Sequence, residues 1–377
     1  MSTDAPGRGP DGQGQVRQID LHRSRVEWLR GEGRLSDVVL SSRVRLARNL
    51  AGFPFPNRAS RSDRVCVLDL CRDRILNAGL AERMLWIDLH HAAPIDRSLL
   101  VERHLISKQH AKGKLGVASG GPEEPRGVAV AMPHEQLSIM VNEEDHLRIQ
   151  VMRTGFDLAD ALREADEVDD KIERRLDYAF SPRFGYLTAC PTNVGTGARF
   201  SVMLHLPALK MANEIDKVKR AAGDMALAIR GFYGEGSEAV GDFYQLSNQT
   251  TLGKAEHFLL HDMEHEIIPR VVEYERLARR QLVERRGDLV ADQAYRALGV
   301  LRHARLMSSE EAMECLSRVR LGAVLGLMPG IDHQHVTHLM LVIQPAHLQR
   351  LAGREMNQAE RRAGRADLLR RELASVT

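Results

Sequence analysis

Cysteine is scarce in this chain: four residues, Cys66, Cys71, Cys190 and Cys315, in a sequence of 377. No two of them form a CxxC pair, and a chain of this length with 43% hydrophobic residues builds its core without disulfide staples. Long apolar runs are missing as well. The stretch from Leu321 to Met328 is far too short to span a bilayer, so no membrane association is expected. Residues 1–15 (MSTDAPGRGPDGQGQ) lack the apolar centre of a secretory leader, which makes a reducing cytoplasm the expected setting. Nor does one sign of charge dominate: 53 Lys+Arg against 51 Asp+Glu leave +2, so the whole chain carries no signal for nucleic acid. A G-x-x-x-x-G-K-[ST] phosphate loop is absent, and so are H-R-D and D-F-G.

What is present is a change of pattern along the chain. Residues 1–20 read as a flexible tail, followed by a short amphipathic helix around Val26 to Leu29. Val38-Val39-Leu40 leads as a strand into Ser41-Ser42-Arg43-Val44-Arg45, and residues 63–79 carry a helical pattern with Gly79 placed to stop it. Lys112 to Arg126 reads as a loop. From Val128 to Met152 the period becomes two: Leu137, Ile139 and Val141, then Leu147, Ile149 and Val151 alternate with polar partners. The five residues between these runs, NEEDH, then fall at a hairpin end. An acidic, exposed helix is predicted over 157–177, strands over Tyr186 to Ala189 and Arg199 to Leu206, and a helix over 208–231. GFYGEGSEAVG (231–241) is a glycine-punctuated loop, and Asp242 to Leu246 resumes as strand. From 254 to the C-terminus the pattern is helical. The reading is an α+β fold: an antiparallel sheet flanked by helices over 21–253, then a helical domain over 254–377.

Two motifs carry the chemistry. Val141-Asn142-Glu143-Glu144-Asp145-His146-Leu147-Arg148 sets three successive acids at one tip, where they repel unless cations neutralise them; the other reading is a hydrated turn. Cys190-Pro191-Thr192-Asn193-Val194-Gly195-Thr196-Gly197 is a turn with one cysteine, running into Arg199. Massed carboxylates suit a cationic substrate and the nearby arginines an anionic one, a pairing that fits phosphoryl transfer from a nucleotide to a guanidinium. Arginine suits the phosphates because it is permanently charged and donates in a planar fork. Arg43 and Arg45 share one strand face; Arg148, Arg199 and Arg230 lie at element ends beside the motifs. Each taken singly also reads as a solvated surface charge. Glu144 and Glu235 are the natural pair to orient a guanidinium and accept its proton. A thiolate at Cys190 would help hold that guanidinium; a buried structural thiol is the alternative. His257, His261 and His265 fall at i, i+4 and i+8 but do not form H-E-x-x-H, and with His333, His335 and His338 they are read as ordinary helix faces, with no metal site expected.

NEEDHLR, SSRVRLARNL, CPTNVGTGARFSVMLHLPAL and RGFYGEGSEAVGDFYQLSNQTTLG together resemble the ATP:guanido phosphotransferases, the family of creatine and arginine kinases. Leu100-Val101-Glu102-Arg103-His104-Leu105-Ile106-Ser107 and Ile343-Gln344-Pro345-Ala346-His347-Leu348-Gln349 are similar to its bacterial protein arginine kinase branch. The resemblance runs from about residue 20 to the end. It implies ATP and Mg²⁺ as cofactors, nucleotide contacts at Arg43, Arg45, Arg148, Arg199 and Arg230, and a stacking role beside the adenine at His104. It also implies catalytic carboxylates at Glu144 and Glu235 and the reactive-cysteine position at Cys190. The implied partners are protein substrates with exposed arginines, a Clp-type protease that receives them, a zinc-binding activator protein and a second copy of the chain.

Only about forty residues precede Ser41, too few for the additional helical domain that the small-molecule branch is expected to carry, which favours protein arginine as acceptor. Kinases of free arginine, and a silent adaptor that binds arginine or phosphoarginine, are the rival readings. One departure stands out. The branch resembles itself in an R-D-x-x-R-A pocket for phosphoarginine, and here Arg361-Arg362-Ala363-Gly364-Arg365-Ala366 puts arginine in the aspartate position, so weakened or altered activation by phosphoarginine is expected.

Overall fold

Alternation decides the central strand. In VLSSRVRLAR, Val44 and Leu46 are fully buried on one side while Arg43 and Arg45 leave on the other, so β1 (Val39–Arg48) presents an apolar and a cationic face. The computed structural model describes residues 26–114, 121–231 and 240–374. The expected tail, Glu235 and part of the loop over 112–126 lie outside them.

Among the described residues, β1 sits inside one antiparallel sheet with β2 (Arg83–Asp88), β3 (Gly127–Met132), β4 (Leu137–Val141), β5 (Leu147–Thr154), β8 (Ala198–His205), β9 (Leu227–Arg230) and β10 (Phe243–Asn248). Its order is β2-β3-β4-β5-β1-β8-β10-β9. A separate small hairpin pairs β6 (Phe180–Ser181) with β7 (Gly185–Tyr186). The apolar face collects Val44, Leu46, Ile139, Ile149, Phe200, Val202 and Leu246 into the main core.

Helices cover that face. α1 (Arg61–Leu76) starts on a capping box in which Ser60 and Asp63 satisfy each other's backbone amides. Its expected stop holds: Asn77 caps it and Gly79 takes a left-handed φ of 64°. After α2 (Pro94–Glu102) and α3 (Lys108–Lys112) comes α4 (Leu158–Glu173). That acidic helix is not exposed all round: Leu158, Ala161, Ala165, Val168 and Ile172 recur at helical spacing and are buried in the main core.

Two expectations need correction. The helix expected over 208–231 is α5 (Pro207–Met211), α6 (Ile215–Asp224) and then strand β9. Ala226, at a φ of 55°, ends the helical run, and Leu227 and Ile229 turn their alternate positions toward the core. The strand expected over Tyr186 to Ala189 reaches only Tyr186, because Leu187 donates to the Ala179 carbonyl (2.9 Å) and its own carbonyl accepts from Asn49 (3.0 Å) instead of a ladder partner.

After Asn248 every described element is helical: α7 (Glu256–His261), a π-helical turn over Asp262–Ile267, α8 (Ile268–His303), α9 (Ser309–Val324), α10 (His333–Val342), α11 (Pro345–Leu351) and α12 (Gln358–Glu372). Helix α8 bridges two cores. Ile268, Val271 and Ala278 pack with the sheet, whereas Ala294, Leu298 and Leu301 pack with Leu316, Leu339 and Leu369; Arg286 between them leaves helical geometry (φ −147°, ψ 34°). His261 and His265 stack on the π-helical turn with ring centroids 4.7 Å apart. None of the described residues form a group of three or more His, Cys, Asp or Glu able to hold a metal ion.

Candidate active site

The sheet register brings the predicted arginines together. Arg43 lies opposite Ser201 and Arg45 opposite Arg199, Arg230 pairs with Gln245, and Arg148 stands opposite Ala47, two positions along from Arg45. Directly opposed residues share a face, so all five point away from the core onto one surface. Arg43 donates from Nε to Ser201 Oγ (3.1 Å) and from Nη2 to Gln245 Oε1 (2.8 Å). The Nε and Nη2 of Arg45 are buried and find no hydrogen-bond partner among the described residues. Burial, reinforced by Arg148, Arg199 and Arg230, pushes the Arg43 guanidinium down to about 10; Arg45 moves the same way through burial and then Arg43, Arg148, Arg199 and Arg230. Buried like charges destabilise a fold unless an anion completes them. An anion of more than one negative charge is what would offset the charge gathered on this face.

The acidic tip between β4 and β5 is not a hydrated turn. Asn142 opens it at a φ of 57° and donates to the carbonyls of Arg64 (2.8 Å) and Pro125 (3.0 Å). Glu143 and Asp145 turn inward, with side chain 4% and residue 1% exposed, whereas the Glu144 side chain is 35% exposed. Glu143 accepts from Ser107 Oγ (2.6 Å) and pairs with Arg148 (2.9 Å). Burial would raise its carboxyl, but Arg148, His110, Ser107 and the Glu144 amide outweigh that and hold it below the ordinary value. Glu144 is thus the acid left at the surface, 3.1 Å from Arg148 on the rim of the arginine face.

Asp145 joins this tip to the cysteine turn. Its Oδ1 accepts from Asn49 Nδ2 (2.6 Å) and from the Ala189 amide (2.7 Å), which fixes the residue before Cys190 against the residue after Glu144. Burial pushes its carboxyl up to about 6 against those two hydrogen bonds. Beyond Cys190 the turn is clamped by Arg48, whose Nη1 donates to the Thr196 carbonyl (2.8 Å), and by Thr251, whose hydroxyl donates to the Val194 carbonyl (2.7 Å). Gly197 is required there: at a φ of 66°, a Cβ would stand 2.7 Å from the Ala47 carbonyl oxygen. Cys190 itself is half-buried, with Sγ 3.0 Å from Thr192 Oγ1, and belongs to none of the three hydrophobic cores.

His104 lies at the far side of the arginine face, after α2. It has a φ of 60°, its carbonyl accepts from Gln150 (2.7 Å), and its ring stands edge-on to Trp28 at 4.8 Å. Together with Ser41, Arg43, Ser201 and Gln245 these rings line a small cavity. Burial, with Arg43 and Lys108 adding to it, drives the imidazole down to about 3, so it is neutral.

Arg43, Arg45, Arg148, Arg199, Glu144, His104 and Arg230 therefore frame one surface, and the Cys190 turn is tied to its acidic tip through Ala189 and Asp145. Ser201, Gln245, Glu143, Asp145 and Asn49 were not singled out; the first two were legible from the alternation that placed Arg43, whereas the inward turn of Glu143 and Asp145 depends on tertiary partners. Arg361, Arg362, Arg365 and Ala366 stand apart from it on α12. Arg365 is buried there, donating to the carbonyls of Ile343 and Met307 (2.9 Å each), while the Arg362 carbonyl accepts from the Met307 amide.

The buried histidines make acid pH destabilising. His110 and His146 are each pushed down to about 4 by burial, and His104 to about 3, against about 6.5 unfolded. A histidine with a depressed pKa contributes stability that is complete above about pH 6.5 and is lost as pH falls toward its folded value, by about 1.4 kcal/mol per unit. Asp145 and Asp166, each raised to about 6, and Glu173, Glu256 and Glu275, raised by burial, run the other way, but burial also lowers His90, His205, His333, His338 and His347, so lowered imidazoles outnumber raised carboxyls. Melting temperature is expected to drop steadily from pH 7 to pH 4.5 in calorimetry at constant ionic strength. A flat profile would mean these imidazoles are not held neutral.

Residues 69–278 match the ATP:guanido phosphotransferase C-terminal catalytic domain, and residues 287–377 match the protein-arginine kinase McsB C-terminal domain. The two matches meet at the kink of α8. The chain is 45% identical over 358 residues to the protein-arginine kinase of Symbiobacterium thermophilum, covering 94% of this chain and 98% of that one. It is 42% identical over 352 residues to the protein-arginine kinase of Geobacillus stearothermophilus, covering 93% and 94%. Among solved structures, the duplicated taurocyamine kinase of Schistosoma mansoni with bound transition-state-analogue components aligns at a TM-score of 0.56 and 28% identity over 68% of this chain; the alignment spans 35% of that duplicated protein. Lombricine kinase shares the fold at a TM-score of 0.54 and 24% identity, over 71% of each chain.

Proposed function

The chain belongs to the ATP:guanido phosphotransferase family, and from that membership we propose that it transfers the γ-phosphoryl group of ATP to arginine side chains of proteins. The observation that carries the reading is the convergence of five arginines on one sheet face with the exposed Glu144 on its rim and the Cys190 turn tied to the same tip through Asp145.

Arg43, Arg45, Arg148, Arg199 and Arg230 hold the triphosphate, and the buried, unmatched nitrogens of Arg45 fit an anion. Mg²⁺, when bound, would supply further positive charge to offset the charge of the phosphates. His104, neutral and beside Trp28, lies against the base. Glu144, with Glu235, orients the acceptor guanidinium and takes its proton as the N–P bond forms and the bond from phosphorus to the departing ADP oxygen breaks. Cys190 helps to hold the guanidinium. Proteins with exposed arginines are the substrates, and delivery to a Clp-type protease and activation by a zinc-binding protein belong to the same proposal, supported by family membership. Exposed Leu289, Tyr295 and Val300 on α8 and Leu306 beyond it support a homodimer through the helical region. Among the described residues no helix is long and apolar enough to cross a membrane, and we place the enzyme in the cytoplasm. Arg362, where a carboxylate is expected, weakens the grip of the α12 motif on phosphoarginine.

The test is incubation with ATP and Mg²⁺ plus either casein or free arginine, read at neutral pH by phosphorus NMR and mass spectrometry because the N–P bond is acid-labile. Phosphoarginine on casein alone is expected. Product on free arginine alone would move the enzyme to the small-molecule branch, and silence with both would leave the adaptor reading. In the same assay, added phosphoarginine should stimulate Arg362→Asp more strongly than the wild type.

A further inference from the structure

Two segments of the sequence, Leu100 to Ser107 and Ile343 to Gln349, lie more than two hundred residues apart, and apart from His104 and Ser107 they have no part in the chemistry above. The fold brings them together in one buried polar network. Glu102, at the end of α2, accepts from the backbone amides of Ala346 (2.8 Å) and His347 (3.0 Å) at the start of α11. Its Oε2 also lies 2.8 Å from His347 Nδ1. His347 Nε2 faces Arg103 Nη1 at 3.2 Å, and Arg103 makes a two-pronged pair with Glu135, 2.8 Å on each arm. Arg350, one turn further along α11, is paired with the buried Asp96 of α2.

The donor inventory fixes the state of His347. A guanidinium only donates, so Nε2 is the acceptor and the proton sits on Nδ1, pointing at Glu102. Glu102, His347 and Arg103 are thereby joined in one chain of hydrogen bonds, with Arg103 donating to His347 and His347 to Glu102. Breaking such a buried network at a single member is costly because it strands charge in low dielectric.

Arg103 is the residue before His104. The Arg103 carbonyl accepts from Trp28 Nε1 (3.3 Å), and Trp28 is the ring against which His104 stands. His104 holds a φ of 60°, a conformation that a side chain other than glycine keeps only when its surroundings impose it. The imposing groups are on either side of it: Arg103 pinned by Glu135 and His347, and the His104 carbonyl held by Gln150.

We propose that His347 and Glu102 are positioning residues for the nucleotide: through Arg103 they hold His104 and Trp28 at the base end of the arginine face, so that the helical C-terminal region sets nucleotide affinity. This rests on the reading of His104 given under the proposed function. Glu102 and His347 reach the site through Arg103, and β5 meets this network at the His104 carbonyl through Gln150 and not through a phosphate-holding arginine, so the effect falls on binding and leaves the transfer step alone.

The experiment uses the full chain and two readouts, ADP affinity by calorimetry and the steady-state kinetics of casein phosphorylation. His347→Ala is expected to raise the ADP Kd and the ATP KM about tenfold while kcat and the KM for casein stay within twofold. His347→Gln, whose amide oxygen can still accept from Arg103, should recover most of the loss; His347→Asn, too short to reach it, should not. An ADP Kd unchanged in a folded His347→Ala protein, or equal failure of Gln and Asn, would overturn the proposal, as would a fall in kcat with KM unchanged. Should His347→Ala not fold, Glu102→Gln, which keeps size and one acceptor oxygen, is read by the same criteria. His104→Ala separates the two claims: if it leaves the ADP Kd unchanged, the placement of His104 at the base is wrong, whereas its loss together with an unaffected His347→Ala refutes only the relay.

Discussion

Glu144→Gln is expected to lower the turnover of arginine phosphorylation by about a thousandfold while ADP affinity changes by less than about threefold. A guanidinium has a pKa above about 12, so its nitrogen carries no available lone pair until a proton is removed. Of the three acids at the β4–β5 tip, Glu143 and Asp145 are committed inward, to Ser107 and Arg148 and to Asn49 and Ala189. Only Glu144 keeps an open carboxylate, and a positioned base contributes on the order of 10²–10⁴ in rate. The glutamine keeps the shape and an oxygen toward Arg148 but has neither the charge to orient a cation nor the basicity to deprotonate it. Phosphorus NMR of the casein product gives the rate, and calorimetry with ADP gives the affinity. Turnover within tenfold of the wild type would remove Glu144 from the proton transfer, and loss of ADP binding instead would make it a partner of Arg148 alone.

The parts of this site legible in the sequence were those written in a strict period. Alternation in Arg43-Val44-Arg45-Leu46 put both arginines on the face away from the core, and the paired runs around NEEDH put the acids at a hairpin end. Arg230 lies in a strand on the arginine face and not in the helix expected there, because the helical pattern of α6 runs through Gly223 and the break comes only at Ala226 in a left-handed conformation. What the sequence could not show was direction within the acidic triplet. Glu143, Glu144 and Asp145 are chemically alike, and which one faces solvent is decided by Ser107, Asn49 and Ala189, residues 36, 96 and 44 positions away from their partners. The same holds for Glu102 and His347, whose contact spans 245 positions and leaves no local period. Elements with their own periodicity were readable; polar partners chosen by the fold were not.

Arg45→Met is expected to make the protein more stable and nearly inactive. The guanidinium of Arg45 is buried with Nε and Nη2 unmatched among the described residues, and Arg43, Arg148, Arg199 and Arg230 all disfavour its charge. Methionine has a similar length, carries no charge and flexes to fill the space, so the substitution removes a desolvation and repulsion cost of about 1–3 kcal/mol. For a chain of this size that is a rise of roughly 1–2 °C in melting temperature per kcal/mol. Function moves the other way: truncating one member of a desolvated charge pair costs about 2–5 kcal/mol of binding, or about 30- to 4,000-fold in nucleotide affinity. The two effects cross when ADP is added. Saturating ADP should raise the wild-type melting temperature by several degrees through ordinary binding linkage and leave that of Arg45→Met unmoved. A variant that melts lower than the wild type without ligand would show that Arg45 is held by the fold for its own stability. Unchanged ADP stabilisation would show that the triphosphate lies elsewhere on the sheet. The expected pattern, gain without ligand and no response with it, is that of a cation kept at a cost to the fold because the anion it awaits is the substrate.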